Sequence, residues 1–175
     1  MVRDLLLLRR GPQDLPHSEG LLAALAVAAI LVEALLGTRL LGAGEFSGAA
    51  LRVVASVGVL LGVTYAILRL HERQARFVQT GSALIAVAIP FAVITALILS
   101  MALPIPKDRE ALTGAQMLAG VLSLAVVVWQ LLVRGHIFRH ALDVPLARGV
   151  TLALSLTLAE LLLAIGIAQF FPTTP

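Results

Sequence analysis

Five long apolar runs, separated by short polar gaps, constrain this chain more than any other feature. A helix crossing the roughly 30 Å hydrocarbon core of a bilayer needs about 20 mostly apolar residues. Residues about 20–41, 48–68, 78–103, 112–133 and 145–171 each meet that requirement. The gaps hold turn formers and charges: Gly42-Ala43-Gly44-Glu45, the run Arg69 to Arg76, and Pro104-Ile105-Pro106-Lys107-Asp108. None is long enough to fold as a soluble domain. Hydrocarbon offers no water to unpaired amides, so each run must satisfy its own backbone as a helix. The sequence predicts an all-α integral membrane bundle of five transmembrane helices, with residues 1–175 forming a single transmembrane domain.

Composition agrees. Hydrophobic residues make up 59% of the chain and charged ones 13%, against about 45–50% and about 25% in a soluble domain. That much apolar surface excludes intrinsic disorder. The absence of cysteine excludes a disulfide scaffold, cysteine-ligated metals and thiol catalysis. No Walker loop, dinucleotide glycine motif or Gly-x-Ser-x-Gly elbow is present, and no cofactor is implied.

Cation placement orients the bundle. With the N-terminus cytoplasmic, the inner segments hold Arg3, Arg9, Arg10, Arg69, Arg73, Arg76, Arg134, Arg139 and Arg148, whereas the outer ones hold Arg39, Arg52, Lys107 and Arg109. Nine against four sets the N-terminus inside and the C-terminus outside. Tyr65 and Trp129 then lie near the inner interface. These cations serve topology and anionic headgroups, so the basic balance is not a nucleic-acid footprint. Arginine outnumbers lysine twelve to one in an Ala/Leu/Gly/Val-rich chain, which points to a bacterial cytoplasmic (inner) membrane. Leu5-Leu6-Leu7-Leu8 is too short for a signal core of about 7–15 residues. With Pro12 and Pro16 blocking a continuous helix, residues 1–17 are expected at the membrane surface and Ser18 as the N-cap of the first span.

Two acids lie deep within spans. Glu33 sits on the small-residue stripe Ala26, Ala29, Gly37, and Glu160 on the stripe Gly149, Ala153, Thr157, Ala164. Spacings of three and four residues share a helical face, and small faces are where membrane helices approach closely. Both acids should therefore point into the bundle, about 3–4 Å beyond its midplane by helical rise. Arg52 descends toward them from the outer end of the second span. Either Glu33 or Glu160 pairs with Arg52, or stays protonated and hydrogen-bonded, and so locks the packing, or two acids at one depth form a proton or cation relay. Gly58 and Gly62 form a Gly-x3-Gly step that permits close helix crossing or dimerisation, with contact within the fold the expected use. Pro90 should kink the third span.

At the inner end of the fourth span, His136, Arg139, His140 and Asp143 form an interfacial cluster. Continued as a helix, His136, His140 and Asp143 would share one face, a spacing open to metal ligation or partner docking. The alternative is headgroup contact, with Asp143 capping the last span ahead of Pro145. The glutamate of a zinc-protease helix is missing, since Ile137 stands there. Arg69-Leu70-His71 and Arg134-Gly135-His136 end the two descending spans alike, as a parallel hairpin repeat would.

Trp129-x5-Gly135, then His136, His140 and Arg148-Gly149-Val150, resemble the fourth and fifth helices of bacterial Yip-type membrane proteins. The resemblance covers residues 129–154 and implies a five-helix fold with a cytoplasmic N-terminus. The aromatic- and proline-bearing signature of eukaryotic members is missing, so their GTPase contacts are not implied. The sequence as a whole points to a non-enzymatic multi-pass protein, a scaffold or accessory subunit of a membrane complex, with a membrane-protein partner or a second copy as its contacts. The alternative is a small proton- or cation-coupled carrier using Glu33 and Glu160.

Overall fold

The computed structural model describes residues 1–41, 46–103 and 113–170. The expected gap segments Gly42 to Glu45 and Pro104 to Asp108, and Arg109, lie outside those residues. The described chain is all-α: α1 (Val2–Leu6), α2 (Glu19–Leu41), α3 (Phe46–Leu70), α4 (Phe77–Ala102), α5 (Gly114–Leu142) and α6 (Leu146–Phe170). The last five are long and apolar enough to cross a membrane, as the sequence predicts. Lipid-facing side chains project outward from them. Leu162 on α6, for example, is 69% exposed, as expected where hydrocarbon rather than water surrounds the fold.

Local chemistry sets the helix ends. Ser18 caps α2 through its hydroxyl, which accepts from the Leu21 amide at 3.2 Å. Thr113 and Gln116 form a reciprocal capping box at the start of α5. Pro90 does not interrupt α4. Asp143 adopts the left-handed conformation (φ 57°, ψ 43°) at the C-cap of α5, and the Asp143 and Val144 amides turn back to the Arg139 carbonyl. The expectation that Asp143 caps the last span is thus corrected: α6 starts only at Leu146, and Asp143 ends the helix before it.

The five long helices pack as a closed ring in the order α2, α3, α6, α5, α4, with α3 and α4 also touching across it. The densest core lies at the end of the bundle nearest the N-terminus. There Leu5 of α1 packs with Leu68, Leu84, Val133, Ile137 and Phe138. Residues 1–17 do not merely rest on the surface; α1 and the 3-10 turn Pro12–Asp14 dock against α4 and α5. Length explains why this docking site exists. At 29 residues, α5 is about 44 Å long by helical rise and exceeds the hydrocarbon core, so its last turns offer protein surface for this segment to cover.

Two further expectations are corrected. Gly58 and Gly62 do not mediate a crossing within the fold, because a side chain at either position would meet nothing within 4 Å. The close crossing is between α5 and α6. A Cβ on Gly135 would come within 2.9 Å of the Val150 Cα, and one on Gly149 would collide with the Gly135 carbonyl. The hairpin repeat also fails. Arg69 is exposed in the last turn of α3, whereas Arg134 is buried well inside α5.

Candidate functional site

The glycine contact between α5 and α6 positions the charged pair beside it. Arg134, next to Gly135, donates from Nη1 to Glu160 Oε2 at 2.6 Å and to Thr157 Oγ1 at 3.4 Å. Counted from the turn between the helices, the two residues are staggered by about six positions, or about 9 Å along the axis. Side chains lean toward the N-terminus of their own helix. In an antiparallel pair, Arg134 therefore leans away from the turn and Glu160 toward it, which closes the stagger. The ion-pair partner expected from the sequence was Arg52, and this is corrected. Placing the fourth span's end at residue 133 made Arg134 a surface cation, but α5 continues through Leu142 and leaves Arg134 4% exposed.

Glu33 and Glu160 line the same two adjoining cavities. The larger is about 320 Å³, with Glu33, Ser56, Thr95, Gln130, Arg134 and Glu160 as its polar lining. It extends to Leu40 and Leu99, near the ends of α2 and α4 farthest from the N-terminal segment. Phe91 closes part of the wall and stacks edge-on against Trp129, with centroids 5.0 Å apart. The smaller cavity, about 180 Å³, is lined by Glu33, Arg52, Ser56 and Glu160 together with Leu163, Ala164 and Ile167. The stripes read from the sequence account for this arrangement: Ala29 and Gly37 flank Glu33 in the larger cavity, and Ala164 lies beyond Glu160 in the smaller.

The four charges differ in how they are held. Glu160 and Arg134 are committed to each other. Among the described residues, no ion pair or hydrogen bond holds the Glu33 carboxylate. Among the described residues, Arg52 Nη2 and Arg134 Nε are buried with no hydrogen-bond partner. A polar group withdrawn from water without a partner is costly. Arg134 keeps one such group at Nε although its charge is paired, and among the described residues Glu33 and Arg52 are the two charged members of the site that no ion pair holds. Sequence reasoning missed Arg134, Gln130 and Ser56. The signal for Arg134 was present in Thr157 and Glu160, which lie one turn apart on a stripe that needed a cation from the preceding helix.

The histidine cluster lies at the other end and serves the N-terminal segment. His136 donates from Nε2 to the Arg10 carbonyl at 3.2 Å, Trp129 from Nε1 to the Leu6 carbonyl at 3.1 Å, and Gln79 to the Leu15 carbonyl at 2.7 Å. His140 stacks edge-on against His136 at 4.5 Å. Asp143 does not join them: its carboxylate faces Arg76 at 2.9 Å and Arg73 at 3.4 Å. Arg76 also donates to the His140 and Ala141 carbonyls, which satisfies the last turn of α5. Arg139 is exposed. Among the described residues, no three His, Cys, Asp or Glu side chains are grouped to hold a metal. No protein-family profile, curated protein or solved structure matches the chain.

Proposed function

We propose that this multi-pass membrane protein is a small carrier of the bacterial cytoplasmic membrane. It is non-enzymatic and couples movement of a proton or cation to a small polar ligand through Glu33 and Glu160. The observation that carries this reading is that both carboxylates line one cavity that is lined by five helices and runs toward one end of the bundle. Intramembrane carboxylates facing a cavity mark ion and substrate pathways, and ligand sites between helices of a bundle take this form. With the N-terminus cytoplasmic, the cavity extends outward. The docked N-terminal segment lies at the inner end, and the Arg134–Glu160 pair and the Phe91–Trp129 contact stand between it and the outer end of the cavity.

The test uses proteoliposomes loaded with a pH-sensitive dye and given a panel of amino acids, simple amines and alkali cations. At least one compound should move protons in the wild type, with the response abolished in Glu33→Gln and Glu160→Gln proteins that remain monodisperse. No dye response to any compound contradicts the reading.

A scaffold or accessory subunit is the second reading, favoured by the exposed Gly58 and Gly62 face of α3, where another membrane helix can approach closely. Such a role predicts a stable partner in mild-detergent pull-downs. Kinship with Yip-type proteins remains a proposal resting on residues 129–154.

A further inference from the structure

We propose that the smaller cavity binds a small zwitterion, its ammonium group on Glu33 and its carboxylate on Arg52. The inference deepens the carrier reading and rests on it, because it names the ligand class for the same site. Of the four charged groups around the two cavities, Arg134 and Glu160 neutralise each other at 2.6 Å. That leaves one carboxylate and one guanidinium, Glu33 and Arg52, lining the same 180 Å³ space without bonding to each other.

A lone cation would leave Arg52 Nη2 buried and unpaired, and a lone anion would leave Glu33 without a counter-charge. A ligand carrying both charges satisfies both groups at once and enters with no net charge, which lowers the electrostatic cost of placing it in the bilayer. Guanidinium suits a carboxylate because its planar fork matches the two oxygens. The Ser56 hydroxyl offers a further hydrogen bond, and Leu163, Ala164 and Ile167 form an apolar wall for a short aliphatic side chain. The space corresponds to roughly six water volumes of about 30 Å³ each, the scale of an alanine-sized molecule. The adjoining cavity offers room for a longer one.

The experiment measures binding of tritiated alanine to the purified full-length protein, with glycine, valine, glycine betaine, ethylamine and acetate as competitors. Alanine should bind saturably, and ethylamine and acetate should compete at least about tenfold more weakly than the zwitterions. Glu33→Gln and Arg52→Gln should each weaken binding by at least about tenfold, while Arg52→Lys, which keeps the charge, should retain part of it. Each variant is compared at equal monodispersity, and Ser56→Ala gives a milder probe that leaves both charges in place. Ethylamine competing as well as glycine, with Arg52→Gln silent, overturns the zwitterion while leaving a cation-coupled carrier standing. If tritiated alanine does not bind, and tritiated glycine, valine and glycine betaine tried in its place do not bind either, the proposal is overturned, and proton movement driven by amines or alkali cations in proteoliposomes then shows whether the carrier reading survives it.

Discussion

Arg134 of α5 and Glu160 of α6 form an ion pair at 2.6 Å with both side chains mostly withdrawn from solvent, 5% and 17% exposed. Removing one partner from such a pair strands the other. Arg134→Gln should therefore destabilise the protein by about 3–5 kcal/mol, read as a lowered melting temperature in detergent. Replacing both residues with methionine should recover most of that loss, since a buried pair contributes little beyond a well-packed apolar substitute. The double variant should nevertheless stay inactive in the dye assay. Equal melting temperatures for wild type and Arg134→Gln would show that the pair does not hold α5 to α6.

The glycines separate into two classes that stability measurements will distinguish. Gly149→Ala drives a methyl group into the Gly135 carbonyl and should cost about 1–3 kcal/mol, as overpacking does. Gly58→Ala and Gly62→Ala meet open space and should be neutral or stabilising by up to about 1 kcal/mol through helix propensity. A large loss at Gly58 or Gly62 would reveal that a second helix covers that face of α3, which would favour the accessory-subunit reading.

Trp129→Phe keeps an aromatic ring against Phe91 and removes the N–H that holds the Leu6 carbonyl. One hydrogen bond contributes about 1 kcal/mol. Faster amide exchange should follow in residues 2–15, with the far ends of α2 and α4 unchanged. Unchanged exchange in residues 2–15 would mean that Trp129 does not anchor the segment.

At the α5–α6 turn, Asp143→Gly should be milder than Asp143→Ala. Both lose the half-exposed contacts to Arg73 and Arg76, which contribute about 1 kcal/mol or less. Alanine additionally takes on the left-handed backbone at φ 57°, a cost of about 1–2 kcal/mol that glycine avoids. Equal melting temperatures for the two variants would count against this account of the turn.

Much of the architecture was legible in the sequence because a bilayer restricts a chain so strongly. Five apolar runs gave five helices, and the stripes around Glu33 and Glu160 turned both acids inward. The boundary at residue 133 was not legible. Arg134, His136 and Arg139 look like the polar end of a span, yet tertiary cover from α1, α4 and α6 lets α5 continue to Leu142. That single boundary hid the ion-pair partner, and it made Asp143 look like the start of one helix rather than the end of another. The Gly-x3-Gly step misled for a related reason. Small residues permit close packing wherever a neighbour exists, and among the described residues none lies within 4 Å of a side chain placed at Gly58 or Gly62, whereas Gly135 and Gly149 meet across a tight hairpin. Ring closure, which brings Arg52 and Ser56 of α3 beside Glu160 of α6, depends on pairings far apart in the chain that no local pattern encodes.

The account depends most on the space around Glu33 and Glu160 being wet and reachable from the end of the bundle bearing Leu40 and Leu99. The chain has no cysteine, so single cysteines report without background. Ser56→Cys and Thr95→Cys should react with a small membrane-impermeant thiosulfonate added on that side, and Leu84→Cys, at a position with 0% exposure, should not. If Ser56→Cys and Thr95→Cys react no faster than Leu84→Cys, the cavity is dry and the carrier reading is wrong.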